Sequence, residues 1–326
     1  MDLEEFLTEW HNDSPTVLVH TSGSTGKPKP MYVEKRRMEA SARITCQFLG
    51  LKADDTALLC MPLDYIAGKM MVVRSLTCGL RLLSVEPTGT PCWKGSIDFA
   101  AMVPLQVWNL LQDDEGRQRL QQIRHLIIGG GAINDDLAKA LVDLPNQIWS
   151  TYGMTETLSH IALRRLNGLE RSEWYTPFEG VDISLSEEGC LVINAPAVHE
   201  GPLVTNDVAE LNGRLFRILG RKDNVICSGG IKIQIEEVER LLQPHLSIPF
   251  MITKAPDVRL GEQVVLLTES QDLDSVRLCC QMVLPKYWQP RQYRYISRLP
   301  MTETGKPARA EAFMLFQKAP VRSGSH

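Results

Sequence analysis

The sequence predicts an α/β protein with a large N-terminal domain, built on a mainly parallel sheet with a small antiparallel β subdomain, and an α+β C-terminal domain. Up to about residue 150, strand-like apolar runs alternate with amphipathic helical runs, which requires crossover connections and a parallel sheet. From about residue 179, short alternating runs are separated by "EEG", "NG" and "SGG", which are typical hairpin turns. We place the domain boundary between residues 222 and 223, giving domains 1–222 and 223–326.

Length and composition set the broad class. The chain has 326 residues, 44% of them hydrophobic, and a net charge of −4, so no nucleic-acid partner is indicated. The start "MDLEEFLTEW" lacks a signal-peptide pattern and no apolar stretch is long enough to span a bilayer, which predicts a cytoplasmic protein. Eight scattered cysteines without a C-x-x-C pair predict free thiols rather than a metal site.

The first element predicted for the N-terminal domain is a strand at Val17 to Val19. A helix follows over residues 36–51, where Met38, Ala42, Cys46 and Leu49 recur at helical spacing. The later predicted elements are strands at 56–63, 79–87, 123–131 and 147–153 and helices at 103–112 and 134–144, the last capped by Asn134 or the aspartates beside it.

The antiparallel part and the C-terminal domain contain shorter elements. Hairpin strands are predicted within residues 181–193, 209–219 and 224–235. The terminal domain is predicted to have strands at 248–253, 262–270 and 291–297 and helices at 234–243 and 274–284.

The stretch "HTSGSTGKPKP" after the first strand is rich in hydroxyls, glycines and lysines. It is not a Walker loop, because Pro28 and Pro30 forbid the helix that must follow such a loop. Hydroxyl, backbone N–H and ammonium donors without carboxylates suit a polyphosphate, and a solvated surface turn is the alternative.

Five motifs in order along the chain resemble those of the adenylate-forming superfamily of acyl-CoA synthetases, luciferases and adenylation domains. They are "TSGSTGKPK", "STYGMTET", "VTNDVAEL", "GRKDNVICSGGIKIQIEEVE" and "TETGKPAR". The resemblance implies a reaction in which a carboxylate attacks ATP to give an acyl-adenylate and pyrophosphate, after which the thiol of CoA displaces AMP. ATP and CoA are then cosubstrates, and Mg²⁺ is the cofactor.

The same resemblance implies the ATP-binding residues. They are Thr21, Ser22, Gly23, Ser24, Thr25, Gly26, Lys27, Lys29, Gly129, Gly130, Gly131, Tyr152, Asp207 and Arg221. Asp207 would accept both ribose hydroxyls, although an isolated loop aspartate and arginine more often form a surface ion pair. The three glycines lack the last glycine of a dinucleotide fingerprint, so we discard that alternative; a plain strand-to-helix turn is the other.

By resemblance, Thr155 contacts the α-phosphate, Glu156 binds Mg²⁺, and Lys306 reaches the carboxylate and α-phosphate as the catalytic lysine. Lys306 must give way to CoA, so the resemblance also implies a mobile C-terminal domain. Asp223 is its expected hinge, and the expected CoA contacts are Ser228, Gly229 and Gly230.

Within the superfamily, "PLDYIAGKMMVVRSL" and "MVPLQVWNLLQ" most resemble o-succinylbenzoate CoA ligases of menaquinone biosynthesis. In "PLDYIAG", Asp64 and Tyr65 replace the usual phenylalanine and histidine, so Tyr65 is the candidate ring between the acyl and nucleotide sites. An acid with a second carboxylate needs a non-reacting cation, for which Arg74, Lys69 and His160 are the candidates. Arg74 could equally be a helix-surface residue.

Three alternatives remain at this point. The chain could activate another aryl or short-chain acid; it could load a carrier protein, although no carrier segment follows the lysine loop; or it could be a non-catalytic relative, against which Lys306, Glu156 and Asp207 argue. Because the phosphate loop begins so early, we expect an N-terminally shortened family member whose exposed flank is covered by a partner subunit, such as a second copy.

Overall fold

The computed structural model describes residues 1–20, 30–131, 133–301 and 307–317. Its helices are α1 (Leu3–His11), α2 (Lys35–Leu49), α3 (Ile66–Cys78), α4 (Pro104–Leu110), α5 (Asp114–Gln121), α6 (Asp135–Leu141), α7 (Ile235–Leu242), α8 (Leu273–Val283) and α9 (Arg309–Gln317). Its strands are β1 (Thr16–His20), β2 (Pro30–Glu34), β3 (Thr56–Leu59), β4 (Arg81–Ser84), β5 (Ile97–Met102), β6 (Ile123–Ile128), β7 (Gln147–Gly153), β8 (His160–Arg165), β9 (Thr176–Pro177), β10 (Asp182–Leu185), β11 (Cys190–Asn194), β12 (Leu203–Asn212), β13 (Leu215–Arg221), β14 (Val225–Ser228), β15 (Ile231–Gln234), β16 (Phe250–Asp257), β17 (Gly261–Thr268) and β18 (Gln292–Tyr295).

The chain divides into two compact units. The first comprises Met1–Ser184, Val192–Val204 and Leu211–Arg217, and the second comprises Leu185–Leu191, Thr205–Glu210 and Ile218–His326. The predicted boundary between residues 222 and 223 stays a prediction.

A seven-stranded sheet of order β4-β3-β5-β6-β7-β8-β9 forms the centre of the first unit. Strands β3 to β7 pair in parallel, and β7–β8 and β8–β9 are antiparallel. The buried residues of β5, β6 and β7 form one apolar cluster with α4 and α6, and each buried aliphatic side chain stabilises the fold by about 1.5–3 kcal/mol. The predicted parallel sheet is therefore confirmed, and the strands β5, β6 and β7 end at the same edge.

Helix α2 confirms the prediction made from helical spacing. Met38, Ala42, Cys46 and Leu49 are all buried, and the helix ends at Gly50, which has φ +65°. Glycine adopts this left-handed conformation at little cost, so the chain can turn sharply into β3.

Strand β5 is a central strand that our strand predictions did not include. It pairs with β3 on one side and β6 on the other, and it is almost entirely buried. Its sequence, IDFAAM, carries two alanines and only one β-branched residue, so its local strand signal is weak.

The second unit contains a five-stranded sheet, in which β15-β14-β17-β16 are consecutive and β18 joins β17 in parallel. Helices α7 and α8 bury apolar faces in one cluster with this sheet. The predicted α+β architecture is confirmed.

Strands β10-β11-β12-β13 form a separate four-stranded sheet, whose residues are shared between the two units. Consecutive strands are neighbours and short turns join β10 to β11 and β12 to β13, as hairpins require.

The eight cysteines are all free thiols, and Cys46, Cys60, Cys190 and Cys280 are buried. None of the helices in the described part of the chain combines the length and apolar character that a bilayer crossing requires.

Candidate functional site

Two of the predicted elements, the phosphate loop and the lysine loop, lie outside the described residues. This applies to Lys306 and to the loop residues Thr21, Ser22, Gly23, Ser24, Thr25, Gly26, Lys27 and Lys29. What the structure does describe is the pair of antiparallel strands β1 and β2, which bring residues 20 and 30 side by side at the two ends of that loop.

Strand β1 is held on its free edge by two side chains of opposite charge. Glu9 accepts a hydrogen bond from the Leu18 backbone N–H at 3.2 Å, and Lys69 Nζ donates to the Leu18 carbonyl at 2.7 Å. Lys69 Nζ also lies 3.4 Å from Glu9 Oε2. The Lys69 ammonium is thus engaged in fixing the strand that leads into the predicted phosphate loop, which disfavours it as the cation for a substrate carboxylate.

The glycines 129 to 131 follow β6 at the carboxyl edge of the sheet. The backbone N–H of Gly129 donates to the Met102 carbonyl at 3.1 Å, and a Cβ at Gly129 would lie 2.2 Å from the hydroxyl oxygen of Thr151 on the neighbouring strand. Gly130 has φ +78°. Glycines there keep the backbone slim where ligands of open parallel sheets bind.

Tyr152 lies one strand further along the same edge, near the end of β7. Its ring contacts those of Tyr175 and Phe216, with centroid distances of 5.8 and 5.1 Å. An aromatic cluster of this kind offers a flat apolar surface to a planar ligand.

A tight turn follows Tyr152 and leads into β8. A Cβ at Gly153 would lie 2.3 Å from the Ser159 carbonyl oxygen and 2.4 Å from His160 Cα, and the register of β7 with β8 shifts there. Leu158, a buried non-glycine residue, has φ +64°, a conformation that costs about 1–3 kcal/mol. The close backbone approach at Gly153 and the left-handed conformation of Leu158 together define the path of the chain from residue 153 to residue 160.

Within this turn Thr155 is buried and Glu156 is exposed. No hydrogen bond or ion pair joins the Glu156 carboxylate to another described residue, and the described residues contain no cluster of three metal-binding side chains. One exposed carboxylate fits Mg²⁺ in a nucleotide enzyme, because this ion is usually held by one or two carboxylates together with substrate phosphates.

Arg74 on α3 is a fully buried guanidinium. Gly68 allows the first turn of α3 to approach the segment that follows β3, since a Cβ there would lie 2.3 Å from the Pro62 carbonyl oxygen. Arg74 Nη2 donates to Ser159 Oγ at 2.5 Å, and its Cζ lies 5.8 Å from the centroid of the Phe99 ring. Burial lowers the pKa of Arg74 to about 10, so the guanidinium is charged at neutral pH.

No carboxylate among the described residues forms an ion pair with Arg74, and its buried Nε has no hydrogen-bond partner among them. A buried charge without a counter-ion is costly, so it marks a place where an anion would be stabilised. Arg74 is therefore not a helix-surface residue, and that alternative is wrong.

His160 lies next to Arg74 in space. Its Nδ1 is 3.1 Å from Ser159 Oγ, and its Nε2 is 3.2 Å from Thr45 Oγ1. Burial first, and then the positive charge of Arg74, lower the pKa of His160 well below 6.5. The imidazole is neutral at neutral pH, which disfavours His160 as the cation and leaves Arg74 as the best-supported of the three candidates.

Tyr65 precedes α3 and is 40% exposed. Its carbonyl accepts the backbone N–H of Lys69 at 3.3 Å, so the ring is carried by the first turn of the helix that also bears Arg74. Its role beside the acyl site stays a prediction.

In the second unit, Asp207, Arg221 and Asp223 lie together. Arg221 Nη1 donates to Asp207 Oδ1 at 3.2 Å, and its Nη2 is 3.4 Å from Asp223 Oδ2. The three are thus connected, as both a ribose site and a surface ion pair would require, and the roles of ribose contact and hinge stay predictions.

Ser228, Gly229 and Gly230 form the turn between β14 and β15. Both glycines have positive φ, +58° and +84°, as the two central residues of a type I′ hairpin turn do. The local conformation alone explains these glycines, and CoA contact stays a prediction.

Three further residues of the site were absent from our predictions: Glu9, Thr45 and Ser159. Thr45 lies on the apolar face of α2, one turn from Leu49, so a hydroxyl at a core position was a usable signal. Ser159 lies two residues beyond the motif "STYGMTET", but its contact with Arg74 spans 85 residues and has no local pattern.

Comparison with known proteins gives relatives along most of the chain. The 2-succinylbenzoate–CoA ligase of Bacillus cereus is 24% identical over 97% of this chain and 72% of its own. A crystal structure of an acyl-CoA synthetase (AMP-forming)/AMP-acid ligase II-like protein from Dyadobacter fermentans is 33% identical, with a TM-score of 0.66 and coverage of 96% of this chain and 92% of that one. The o-succinylbenzoate coenzyme A synthetase MenE of Bacillus subtilis, solved with ATP and magnesium ion, shares the fold at 22% identity, with a TM-score of 0.74 over 90% of this chain and 69% of that one.

The family resemblance stated from five motifs is therefore confirmed. The model of the AMP-binding enzyme family matches residues 4–195, a span that includes the phosphate loop, the glycines after β6 and the turn at Glu156. Since this match covers more than half of the 326 residues, the chain belongs to the family of AMP-binding enzymes.

Proposed function

We propose that this protein is an AMP-forming CoA ligase. In the first half-reaction a carboxylate of the acid attacks the α-phosphate of ATP, giving an acyl-adenylate and pyrophosphate. In the second, the thiol of CoA attacks the acyl carbon, and AMP leaves with the bonding electron pair. Membership of the AMP-binding enzyme family and the similarity to relatives named as CoA ligases support this proposal.

The acid that we propose carries a second carboxylate, as o-succinylbenzoate does, which would place the enzyme in menaquinone biosynthesis. The observation that carries this step is the Arg74 guanidinium, which is buried and charged and has no carboxylate partner among the described residues. A carboxylate that enters this region would gain a charge-assisted hydrogen bond where water is excluded. An acid without the second carboxylate would leave Arg74 uncompensated.

The adenylation step requires negative charge to be stabilised on the phosphates. We assign this to the loop of residues 21–29, to Thr155 and to Lys306, with Tyr152 and the glycines 129 to 131 beside the nucleotide. Glu156 would hold Mg²⁺, which when bound offsets charge on the phosphate oxygens. Asp207 and Arg221 are the proposed ribose contacts, which ATP would reach at the expense of the ion pair between them.

The thioester step requires a path for the pantetheine arm of CoA. We assign it to Ser228, Gly229 and Gly230, and we propose that a C-terminal domain of residues 223–326 rotates about Asp223 between the two half-reactions. The cytoplasm as the location and a second copy of the chain on the flank remain part of the proposal.

The experiment is an acid panel in which AMP and pyrophosphate release are measured with and without CoA. We expect o-succinylbenzoate to exceed benzoate and short-chain acids, and CoA to be required for sustained AMP release. Preference for an acid with one carboxylate would favour the alternative of another aryl or short-chain acid ligase. Adenylate formation without any CoA thioester would favour carrier-protein loading, and no turnover with any acid plus CoA would refute the ligase assignment.

The variant that tests the proposed catalytic lysine is Lys306→Ala. Loss of the catalytic point charge should reduce adenylation by at least about 100-fold while ATP binding remains. Retention of full adenylation activity would contradict the assignment of this lysine.

A further inference from the structure

Arg74 is the first member of a continuous chain of side-chain hydrogen bonds inside the first unit. Arg74 Nη2 contacts Ser159 Oγ at 2.5 Å, Ser159 Oγ contacts His160 Nδ1 at 3.1 Å, and His160 Nε2 contacts Thr45 Oγ1 at 3.2 Å. The chain ends where Thr45 Oγ1 donates to the Ser41 carbonyl at 3.0 Å.

Each proton in this chain has one place. Arginine only donates, so Ser159 Oγ accepts from Arg74; its hydroxyl could still donate to His160 Nδ1 or accept from it, and the other end of the chain decides between the two. At the other end, Thr45 gives its proton to the Ser41 carbonyl and therefore accepts from His160 Nε2. Because burial lowers the pKa of His160, the imidazole is neutral and its single proton lies on Nε2; Nδ1 therefore accepts from the Ser159 hydroxyl.

This order matters because no other described residue makes a hydrogen bond as short to the guanidinium. Its other contacts are an Nη1–Met71 Sδ distance of 3.8 Å and the ring of Phe99. The short hydrogen bond at Nη2 and the ring of Phe99 together restrict how the planar guanidinium can rotate. Its Nε–H edge, which has no partner among the described residues, then points in one direction.

The backbone around Ser159 supports the same arrangement. Leu158 is held at φ +64°, and Gly153 permits a backbone approach that any Cβ would block. An observed strained residue next to a functional contact is typical of sites where position outweighs local stability.

We propose that His160, acting through the hydroxyl of Ser159, is a positioning residue for the Arg74 guanidinium and thereby sets selectivity for acids with a second carboxylate. The inference rests on the proposed function, since Arg74 is taken as the anchor of that carboxylate. Thr45 fixes the tautomer of His160 from the other side. The imidazole neither touches the acid nor exchanges a proton with it.

The test compares His160→Leu, which removes both ring hydrogen bonds, with His160→Gln, whose amide can accept from Ser159 and donate to Thr45 without charge. We expect His160→Leu to raise the KM for o-succinylbenzoate about tenfold, with the KM for ATP within about twofold and kcat little changed. His160→Gln should restore most of the affinity. His125→Leu is the matched control. His125 is also a buried histidine of the same sheet, but it makes no hydrogen bond to the side chains that link Arg74 to Thr45.

Ser159→Ala supplies the second arm. If Ser159 and His160 act as one unit, Ser159→Ala and the double variant Ser159→Ala/His160→Leu should show the same loss as His160→Leu alone. Additive losses, equal losses with ATP and acid, or the same loss in His125→Leu would overturn the proposal. Thermal unfolding of each variant identifies those that fail to fold, and His160→Gln then carries the comparison.

A readout without turnover separates this inference from the proposed function. In the ¹⁵N spectrum of the histidine rings, we expect His160 to show a protonated Nε2 and an unprotonated Nδ1, with the Nδ1 shift changed by Ser159→Ala and by Arg74→Met. A protonated Nδ1 would overturn the proposal. If the wild-type protein turned over no dicarboxylic acid while this spectrum was as expected, the substrate would be wrong and the positioning of Arg74 would stand.

Discussion

The guanidinium of Arg74 donates a 2.5 Å hydrogen bond to the hydroxyl of Ser159, 85 residues later in the chain. The pair joins α3 to the turn between β7 and β8 that also carries Glu156, so the contact of the proposed acid anchor lies three residues along the chain from the proposed metal ligand. This link gives Arg74 a defined place without neutralising its charge.

Replacing Arg74 should separate activity from stability. A buried charge with no carboxylate partner among the described residues is costly to fold, so we expect Arg74→Met to unfold with a free energy equal to or above that of the wild type, within about 1 kcal/mol. The kcat/KM for o-succinylbenzoate should fall by about 100-fold, because a buried carboxylate would lose its cation. Chemical unfolding and adenylate formation measure the two quantities.

Arg309→Met is the contrasting variant. Arg309 is mostly buried too, but its Nη2 lies 2.7 Å from Glu239 Oε2, so its loss would leave a carboxylate unpaired and cost about 2–3 kcal/mol. Equal destabilisation in Arg74→Met and Arg309→Met would contradict the description of Arg74 as an uncompensated charge.

The contacts of Lys69 predict an effect on ATP rather than on the acid. Lys69→Met removes the donor to the Leu18 carbonyl and the ammonium beside Glu9, so β1 should lose part of its fixed position at the start of the loop. We expect the KM for ATP to rise about five- to tenfold and the KM for the acid to stay within about twofold. Steady-state kinetics with each substrate varied in turn provide the measurement.

Lys35→Met is the control for this variant. Lys35 follows β2 of the β1–β2 pair and donates to the Asn12 carbonyl at 2.8 Å, but this contact is exposed. A change in the acid KM alone for Lys69→Met would restore Lys69 as a candidate cation for the substrate.

Much of the fold followed from local pattern. The buried face of α2 and the β14–β15 hairpin turn of the second unit depend on residues that are close together in sequence, and both appear as predicted. Strand β5 could not be predicted in the same way, because its place is set by neighbours on both sides rather than by the β-propensity of Ala100 and Ala101.

The same distinction between local motifs and long-range contacts applies to the candidate site. The family resemblance predicts roles for the glycines after β6, Tyr152 and Glu156, which lie within two short stretches of chain. The contact between Thr45 and His160 spans 115 residues, and the hold of Lys69 on Leu18 spans 51. Such contacts depend on how α2 and α3 pack, so the sequence indicated which charged residues matter but not which of them are already paired.

Stability should depend on pH through the buried histidines. The folded pKa of His160 is far below 6.5, and that of His125 is also lowered, mainly by burial. Below about pH 6.5 the unfolded chain therefore binds more protons than the folded one, and the free energy of unfolding falls with decreasing pH, by at most about 1.4 kcal/mol per pH unit for each histidine. Above that pH neither state binds this proton, so the stability lost at low pH is fully present.

Denaturant unfolding between pH 7.5 and about pH 5.5 measures the slope. His160→Gln removes one titrating group and should weaken the dependence of the free energy of unfolding on pH. Adding His125→Gln to the same protein should weaken it further. An unchanged slope in both variants would show that neither imidazole takes up a proton on unfolding.

Gly153 should tolerate no side chain. A Cβ there would lie 2.3 Å from the Ser159 carbonyl oxygen and 2.4 Å from His160 Cα, and backbone atoms cannot rotate away as a side chain can. Gly153→Ala must therefore move the turn that holds Ser159, and we expect a loss of at least about 2 kcal/mol in the free energy of unfolding. In Gly89→Ala the nearest atom is the Asn109 side-chain nitrogen at 3.2 Å, which can shift, so that control should stay within about 0.5 kcal/mol of the wild type. If Gly153→Ala matched Gly89→Ala in stability, the close approach of β7 and β8 at this turn would be wrong, and with it the geometric basis for holding Ser159 against Arg74.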